Sequence, residues 1–388
     1  MNLLERDYCF DQLSELLQSA TAGNGRTVLI SGEAGIGKTA LVEQFVNQQA
    51  SSVRCLWGAC EALFTPYPLG PLYDIAAQVQ GDLYALMSRA TERALLFSAL
   101  LNELQQSPLP TIMVFEDVHW ADEATLDLIK YLGRRIPQIP VLFLVTYRDN
   151  ELSRDHPLWS VIGDLPSTAV ARLRLFPLSK DAVTCLTQQA QRSAEQLYVI
   201  TGGNPFFVTE VLASNTPGVP LMVRDAVLAR VVRLSSEARA LLELASVIPT
   251  RAELWLLEAV LGPTAEAVEE CLSSGMLSLE QTTVAFRHEI ARQAVEGALS
   301  PLRHQNLHAQ VLQALIARGE GASHSARLVH HALGPSMGRR WHTTRHWRHN
   351  RPLPREPIVR WQLSTRQHCA TPTSSLLSGR PSCSKDMP

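Results

Sequence analysis

Lysine is scarce in this chain. Only Lys38, Lys130, Lys180 and Lys385 occur, and arginine supplies the rest of the 35 basic residues. Net charge is scarce too: 37 acidic residues leave −2 at pH 7. No global field therefore draws the chain to nucleic acid or to anionic membranes. Paired cysteines are missing. Cys9, Cys55, Cys60, Cys185, Cys271, Cys369 and Cys383 are odd in number and form no C-x-x-C. A disulfide framework or a thiolate zinc site is not expected, and a reducing cytoplasm fits. Long apolar runs are also missing. Ile112–Phe115 and Val141–Val145 are far too short to cross a bilayer and read as buried strands. Glu5, Arg6 and Asp7 interrupt the start, which has no signal-peptide apolar run. The expectation is a soluble, cytoplasmic protein.

What is present is a globular composition. The chain has 388 residues, 46% of them apolar, which suggests two or three domains with ample cores. Collagen-like, mucin-like and wholly disordered chains are excluded. The neutral average hides a split. Residues 335–388 hold 10 basic and 2 acidic residues, leaving 25 basic and 35 acidic before them. An acidic body carries a basic tail.

Periodicity organises the body. Leu13, Leu16 and Leu17 predict an amphipathic helix over Leu3–Leu17. A strand is expected at Thr27–Ser31, then a Gly-rich turn and a helix from Thr39 to Gln49. Gln80–Gln106 reads as mostly helical until Pro108 and Pro110 stop it. Thr111–Phe115 reads as a strand, Glu123–Arg135 as a helix and Val141–Thr146 as a strand. Strands alternating with helices predict βαβ units and a parallel sheet. After residue 170 the pattern turns helical, with helices expected at Ser179–Gln196 and Pro205–Ser214. Ser235 and Ser300 are expected N-caps, the second followed by Pro301. Leu277–Leu279 and Val284–Phe286 suggest a small hairpin, and Leu302–Leu333 the first pair of a helical array.

One motif carries clear chemistry. Gly32-Glu33-Ala34-Gly35-Ile36-Gly37-Lys38-Thr39 matches G-x-x-x-x-G-K-[ST] in full, between a strand and a helix. Its glycines let backbone N–H groups curl around a β-phosphate, and the helix N-terminus adds positive potential. Lys38 is expected to neutralise β/γ oxygens, and Thr39 to ligate Mg²⁺. A Mg-nucleotide site also needs acidic residues on a second strand, and Glu116-Asp117 end the strand at Ile112. By position Glu116 takes the metal role and Asp117 the general-base role. The roles can exchange, because adjacent strand residues point to opposite faces. Arg148, after the third strand, is expected to reach the γ-phosphate as a charged donor. His119 has no nucleophile beside it and reads as a packing or switch residue.

Taken together, Gly32–Thr39, Phe115–Thr125, Thr146-Tyr147-Arg148-Asp149 and Thr201-Gly202-Gly203-Asn204-Pro205-Phe206-Phe207 resemble the ATPase core of large LuxR-family transcriptional regulators. These are signal-transduction ATPases of the STAND type, related to AAA+ proteins. The resemblance covers residues 1 to about 333. It implies an α/β P-loop NTPase over 1–170 and an all-helical lid over 171–218. A winged-helix-like domain over 219–300 and the start of helical repeats over 301–334 would follow. It implies ATP and ADP as ligands with Mg²⁺, slow hydrolysis and self-association in the ATP state. It places Pro205 near the adenine and His288 facing the nucleotide in the resting state. Leu4-Glu5-Arg6-Asp7 resembles the opening L-x-G-R-[DE] element, with Glu5 where the family has glycine.

Such regulators continue through a long repeat array to a DNA-binding helix-turn-helix. Here the resemblance stops near Gly334. The tail, 335–388, has no periodicity and is expected to be disordered. One reading makes it a basic arm for nucleic acid, with Trp341, Trp347 and Trp361 to stack on bases. The preferred reading is a GC-rich coding region translated out of frame, which makes the chain a truncated regulator without DNA binding of its own. A nucleotide switch is the leading functional expectation. A direct nucleic-acid-binding regulator and an AAA-type motor are the alternatives.

Overall fold

A computed structural model of the chain describes residues 3–61, 68–89, 92–188, 193–214, 218–318 and 325–333. All of them fall within one compact unit, Met1–Arg339. The disorder expected for residues 335–388 lies outside the described residues. No described helix is long and apolar enough to cross a membrane.

The first half alternates helix and strand. In order come α1 (Asp7–Thr21), β1 (Arg26–Ser31), α2 (Lys38–Gln49), β2 (Arg54–Ala59), α3 (Gly70–Val79), α4 (Gly81–Met87) and α5 (Arg93–Gln105). Then follow β3 (Thr111–Glu116), α6 (Glu123–Gly133), β4 (Val141–Tyr147), α7 (Leu158–Asp164) and β5 (Val170–Arg174). The five strands form one parallel sheet in the order β2-β3-β4-β1-β5. This is a P-loop NTPase-like sheet with flanking helices.

Side-chain alternation builds a core on each face. Met113, Phe115, Phe143 and Val145 bury against one helical layer. Ile112, Val114, Leu142 and Leu144 bury against the other, with Phe45 of α2 and Leu13 of α1. Every residue of β4 is buried, as a central strand of a parallel sheet requires. Phe115 and Phe143 pack edge to face, with centroids 5.1 Å apart.

Three expected elements differ. The first helix begins at Asp7, because Glu5 adopts a left-handed backbone (φ 57°) that no helix continues through. The stretch expected to be mostly helical from Gln80 to Gln106 holds two helices, α4 and α5, and Gln80 itself, at φ 58°, stands outside both, between α3 and α4. The single helix expected over Ser179–Gln196 is two, α8 (Lys180–Thr187) and α9 (Ala194–Thr201), and Ser193 caps the second.

The second half continues with α10 (Pro205–Ala213), α11 (Leu221–Val232), α12 (Ser236–Ser246) and β6 (Ala252–Glu253). Next come α13 (Leu254–Leu261), α14 (Ala265–Ser273), β7 (Leu277–Glu280), β8 (Thr283–Phe286) and α15 (Glu289–Ala298). Helices α16 (Pro301–Ala317) and α17 (Ser325–Leu333) complete the described chain. The expected hairpin is present, and β6 joins it as a three-stranded antiparallel sheet. Ser235 and Ser300 cap their helices, accepting from the N–H groups of Ala238 and Arg303. One hydrophobic core runs from Leu178 through Val227, Leu241 and Ile290 to Leu315. The helices after β5, the small sheet and α16 therefore share a single core.

Candidate nucleotide site

The site forms where β1, β3 and β4 end. Because β4 lies between β1 and β3, the chain brings Gly32–Thr39, Glu116-Asp117 and Arg148 to one edge. The phosphate loop turns on Gly35 and Gly37, at φ 77° and 95°. Both values lie in the region open to glycine without steric penalty. Lys38 is buried at 6% exposure, and its Nζ donates to the carbonyls of Gly32 (2.8 Å) and Glu33 (3.1 Å). Burial lowers this ammonium to about 8, while the nearby Asp117 carboxylate pulls the other way.

Thr39, at the start of α2, donates its hydroxyl to Glu116 Oε1. Burial raises the Glu116 carboxyl, the Thr39 hydrogen bond lowers it, and Asp117 beside it raises it again. Asp117 sits in a left-handed conformation at φ 52°, with its N–H on Thr146 Oγ1 at 2.9 Å. That turn sends Asp117 toward Arg148, 3.5 Å from its Oδ2. Arg148 is held from the other side by Glu151, at 2.8 and 3.1 Å. His119 is buried between them, with Nε2 3.6 Å from Glu151 and Nδ1 3.8 Å from Asp117. Neither ring nitrogen has a hydrogen-bond partner among the described residues. Burial, reinforced by Arg148 and Lys38, keeps the ring neutral and far below its usual range.

The second half of the chain closes over the loop. Asn204, fully buried, caps α10 by accepting from the Phe206 N–H at 3.2 Å, with Pro205 at the first helical position. Its amide donates to the Ala34 carbonyl (3.0 Å) and to Glu33 Oε1 (3.1 Å). The Phe206 N–H also reaches the Gly35 carbonyl at 3.1 Å. Glu33 is in turn hydrogen-bonded to Nε2 of His288, whose ring packs edge-on against Phe207. Burial pushes the Glu33 carboxyl up, but His288 and Asn204 outweigh it and hold it below the usual range. On the opening strap, Arg6 donates to the carbonyls of Ile36 (3.2 Å) and Phe176 (2.8 Å). Glu5 accepts from Ser179, at 2.9 Å from its N–H. The strap thus ties the phosphate loop to the segment that leaves the sheet.

The expected residues Gly32–Thr39, Glu116, Asp117, Arg148 and Pro205 all lie around this loop or on the helix that closes it. The donor set suits magnesium. A hydroxyl and a carboxylate already in contact are hard oxygen ligands of the kind Mg²⁺ takes, and the ammonium and loop N–H groups suit phosphate. Sequence reasoning missed Arg230 of α11. Burial lowers its guanidinium, and it senses the charges of Glu151, Arg148 and Glu33. No local signal marks it, because only tertiary packing brings α11 to the loop. Asn204 did have a signal, as an N-cap before a proline.

Residues 2–145 match the AAA ATPase domain. That stretch contains the phosphate loop and the acidic pair of the site. Among curated proteins the chain is 24% identical to an uncharacterized protein of Rhizobium meliloti, over 81% of this chain and 37% of that one. The chain thus spans well under half of that relative. Among solved structures, the Walker-type ATPase of Pyrococcus abyssi has the same fold, with a TM-score of 0.53 at 12% identity. The similarity covers 76% of this chain and 96% of that one. A Signal Transduction ATPase with Numerous Domains (STAND) protein with a tetratricopeptide repeat sensor, from Pyrococcus horikoshii, matches at a TM-score of 0.35 and 16% identity. That match covers 82% of this chain and 47% of the other.

Proposed function

We propose that the chain is an ATP/ADP-dependent switch with slow hydrolysis, of the kind found in large LuxR-family transcriptional regulators. The observation that carries this reading is the bond from Glu33, inside the phosphate loop, to His288 beyond the small β-sheet. A loop that only bound nucleotide would not need a partner so far along the chain. A loop that reports its occupancy does.

The residues divide the work. Lys38 and the loop N–H groups hold the phosphates, and Thr39 with Glu116 holds Mg²⁺. When bound, Mg²⁺ neutralises charge on the β and γ phosphoryl oxygens. Asp117 orients the attacking water and accepts its proton. Arg148, poised between Asp117 and Glu151, is placed to exchange those partners for a γ-phosphate oxygen. Pro205 sets the start of the helix that closes the adenine side. The ADP state keeps Glu33, Asn204 and His288 joined. The ATP state releases the second half, in winged-helix-like form, for self-association. Moving such an equilibrium from 1:99 to 99:1 needs a differential affinity of about 5.5 kcal/mol.

The test is mass photometry with fluorescent nucleotide binding. ATP-Mg²⁺ should favour larger species and ADP the monomer. Equal mass distributions with both nucleotides, at saturation, would rule out the switch. The +8 charge of residues 335–388 motivates a second reading, direct nucleic-acid binding. A low-salt mobility shift that deletion of 335–388 abolishes supports it, and no shift at low salt excludes it.

A further inference from the structure

Five titratable side chains meet where α15, α16 and α17 pack, away from the nucleotide site. Glu296 lies near the end of α15. His304 and His308 stand one turn apart on one face of α16, and His330 and His331 come from α17. His308 Nδ1 and His331 Nδ1 are 2.9 Å apart. His304 Nε2 is 3.1 Å from Glu296 Oε1. One ring nitrogen of His330 donates to the Val247 carbonyl. His308 and His331 are 3% exposed, and His331 Nε2 and His304 Nδ1 have no hydrogen-bond partner among the described residues. A buried polar atom left without a partner is destabilising, so this cluster is a poor way merely to fill space.

We propose that His308, His330 and His331 form a binding site for a divalent transition-metal ion of the zinc class, with Glu296 and His304 flanking it. Each of the three offers a ring nitrogen within 4.8 Å of the other two. Imidazoles select zinc, cobalt, nickel or copper over magnesium and calcium. Three protein ligands leave a fourth position for water or for the Glu296 carboxylate. The His330 bond to Val247 is the outer hydrogen bond that commonly fixes the tautomer of a ligand histidine. Two nitrogens on one tetrahedral ion stand ~3.3 Å apart, given Zn–N bonds of ~2.0–2.1 Å. The His308 and His331 rings therefore need to part by only a few tenths of an ångström.

The surroundings are compatible. Burial lowers His308 to about 4 and His331 to about 3, and it lowers His330 as well. All three rings are thus neutral at pH 7, the form that binds metal. Arg292 and Arg327 are the cations nearby. Arg292 is paired with Glu289 and Glu296, and Arg327 with Glu253. An ion here would staple α17 to α16, the pair with which the last described helices begin.

The test uses the untagged full-length chain, stripped by chelation. It is titrated with Zn²⁺ by calorimetry and with Co²⁺ by visible absorption. Expected are one strong site, the intense absorption of low-coordinate Co²⁺, and a melting temperature that rises with Zn²⁺. His308→Gln and His331→Gln should each weaken Zn²⁺ binding at least ~10-fold. His330→Gln changes an exposed ring, so it keeps the fold and should weaken binding too. Circular dichroism of each metal-free variant separates lost ligands from lost structure. Zn²⁺ binding only at millimolar concentration, without the Co²⁺ band, overturns the proposal. So does binding that the three variants leave unchanged, which would place the ion elsewhere, for example on His342, His346, His349 or His368.

Discussion

The Glu33 carboxylate is hydrogen-bonded to Nε2 of His288, 255 residues further along the chain. Glu33 sits between the first glycine of the phosphate loop and Ala34, so the pair couples the loop directly to the start of α15. Both groups are largely buried, and a hydrogen bond with a charged partner contributes about 1.5–3 kcal/mol in such a setting. His288→Ala should therefore speed release of fluorescent ADP ~10–100-fold, because each 1.4 kcal/mol is about tenfold. Stopped-flow displacement measures it. An unchanged release rate would mean that the contact does not govern the loop.

The same pair sets an acid limit. Glu33 is held below its usual range by His288 and Asn204, which offset the effect of burial. A depressed carboxyl contributes stability that is present above its unfolded value and lost as pH falls through its folded value. Glu33→Gln should lower stability at neutral pH and flatten the decline below about pH 4.5. Thermal melts across that range, variant against parent, check it. Parallel curves would show that Glu33 titrates alike in both states.

Lys38 acts in the same direction at the alkaline end. Burial brings it to about 8, from an ordinary value of 10.5. Between those values the unfolded chain binds the proton that the folded chain has lost, so this group makes stability rise with pH there. Phosphate needs the charged form, so nucleotide binding should take up a proton at about pH 9. Calorimetry of ATP binding in two buffers of different ionisation enthalpy measures that uptake. Lys38→Ala should abolish both the binding and the uptake. Retained micromolar affinity would remove Lys38 from the site.

Asp117 and Glu116 are neighbours, and the roles proposed for them are separable. The left-handed backbone at Asp117 aims it at Arg148, while Glu116 stays on the Thr39 hydroxyl. Asp117→Asn should bind ATP normally and hydrolyse it ~10²–10⁴-fold more slowly, the usual contribution of a general base. Glu116→Gln should instead raise the Mg²⁺ concentration needed for ATP binding. Single-turnover hydrolysis and Mg²⁺ titrations distinguish them. Exchanged phenotypes would exchange the assignments.

The parts of this site that are legible in sequence are the local ones. Gly32–Thr39 announces itself because a phosphate cradle needs glycines at fixed offsets, and Glu116-Asp117 because they end an apolar run. The strands β2 and β5 left no such mark. Both are edges of the sheet, where burial is one-sided and polar residues serve. Arg54 opens β2 and Arg172 interrupts β5, so neither shows the continuous apolar run that marks β3 and β4. The break between α8 and α9 was hidden because Ser193 caps a helix as readily as it sits within one. Arg230 was illegible for a different reason. Nothing near it in sequence encodes a phosphate loop, and only the packing of α11 supplies the relationship.

Glu5 offers the last test. The L-x-G-R-[DE] element that Leu4–Asp7 resembles has glycine at this position, and the backbone here is left-handed, which disfavours a side chain by about 1–2 kcal/mol. The Glu5 carboxylate offsets that strain by accepting from both the hydroxyl and the N–H of Ser179, the N-cap of α8. Those bonds also hold its carboxyl below the usual range. Glu5→Ala keeps the strain and loses the bonds, whereas Glu5→Gly loses both. The glycine variant should therefore be the more stable of the two by ~1–2 kcal/mol, read from denaturant titrations. Glu5→Ala should also loosen Arg6, and with it the Ile36 carbonyl that Arg6 holds in the phosphate loop. If alanine proves as stable as glycine, the turn carries no strain, and the glutamate is there for Ser179 alone.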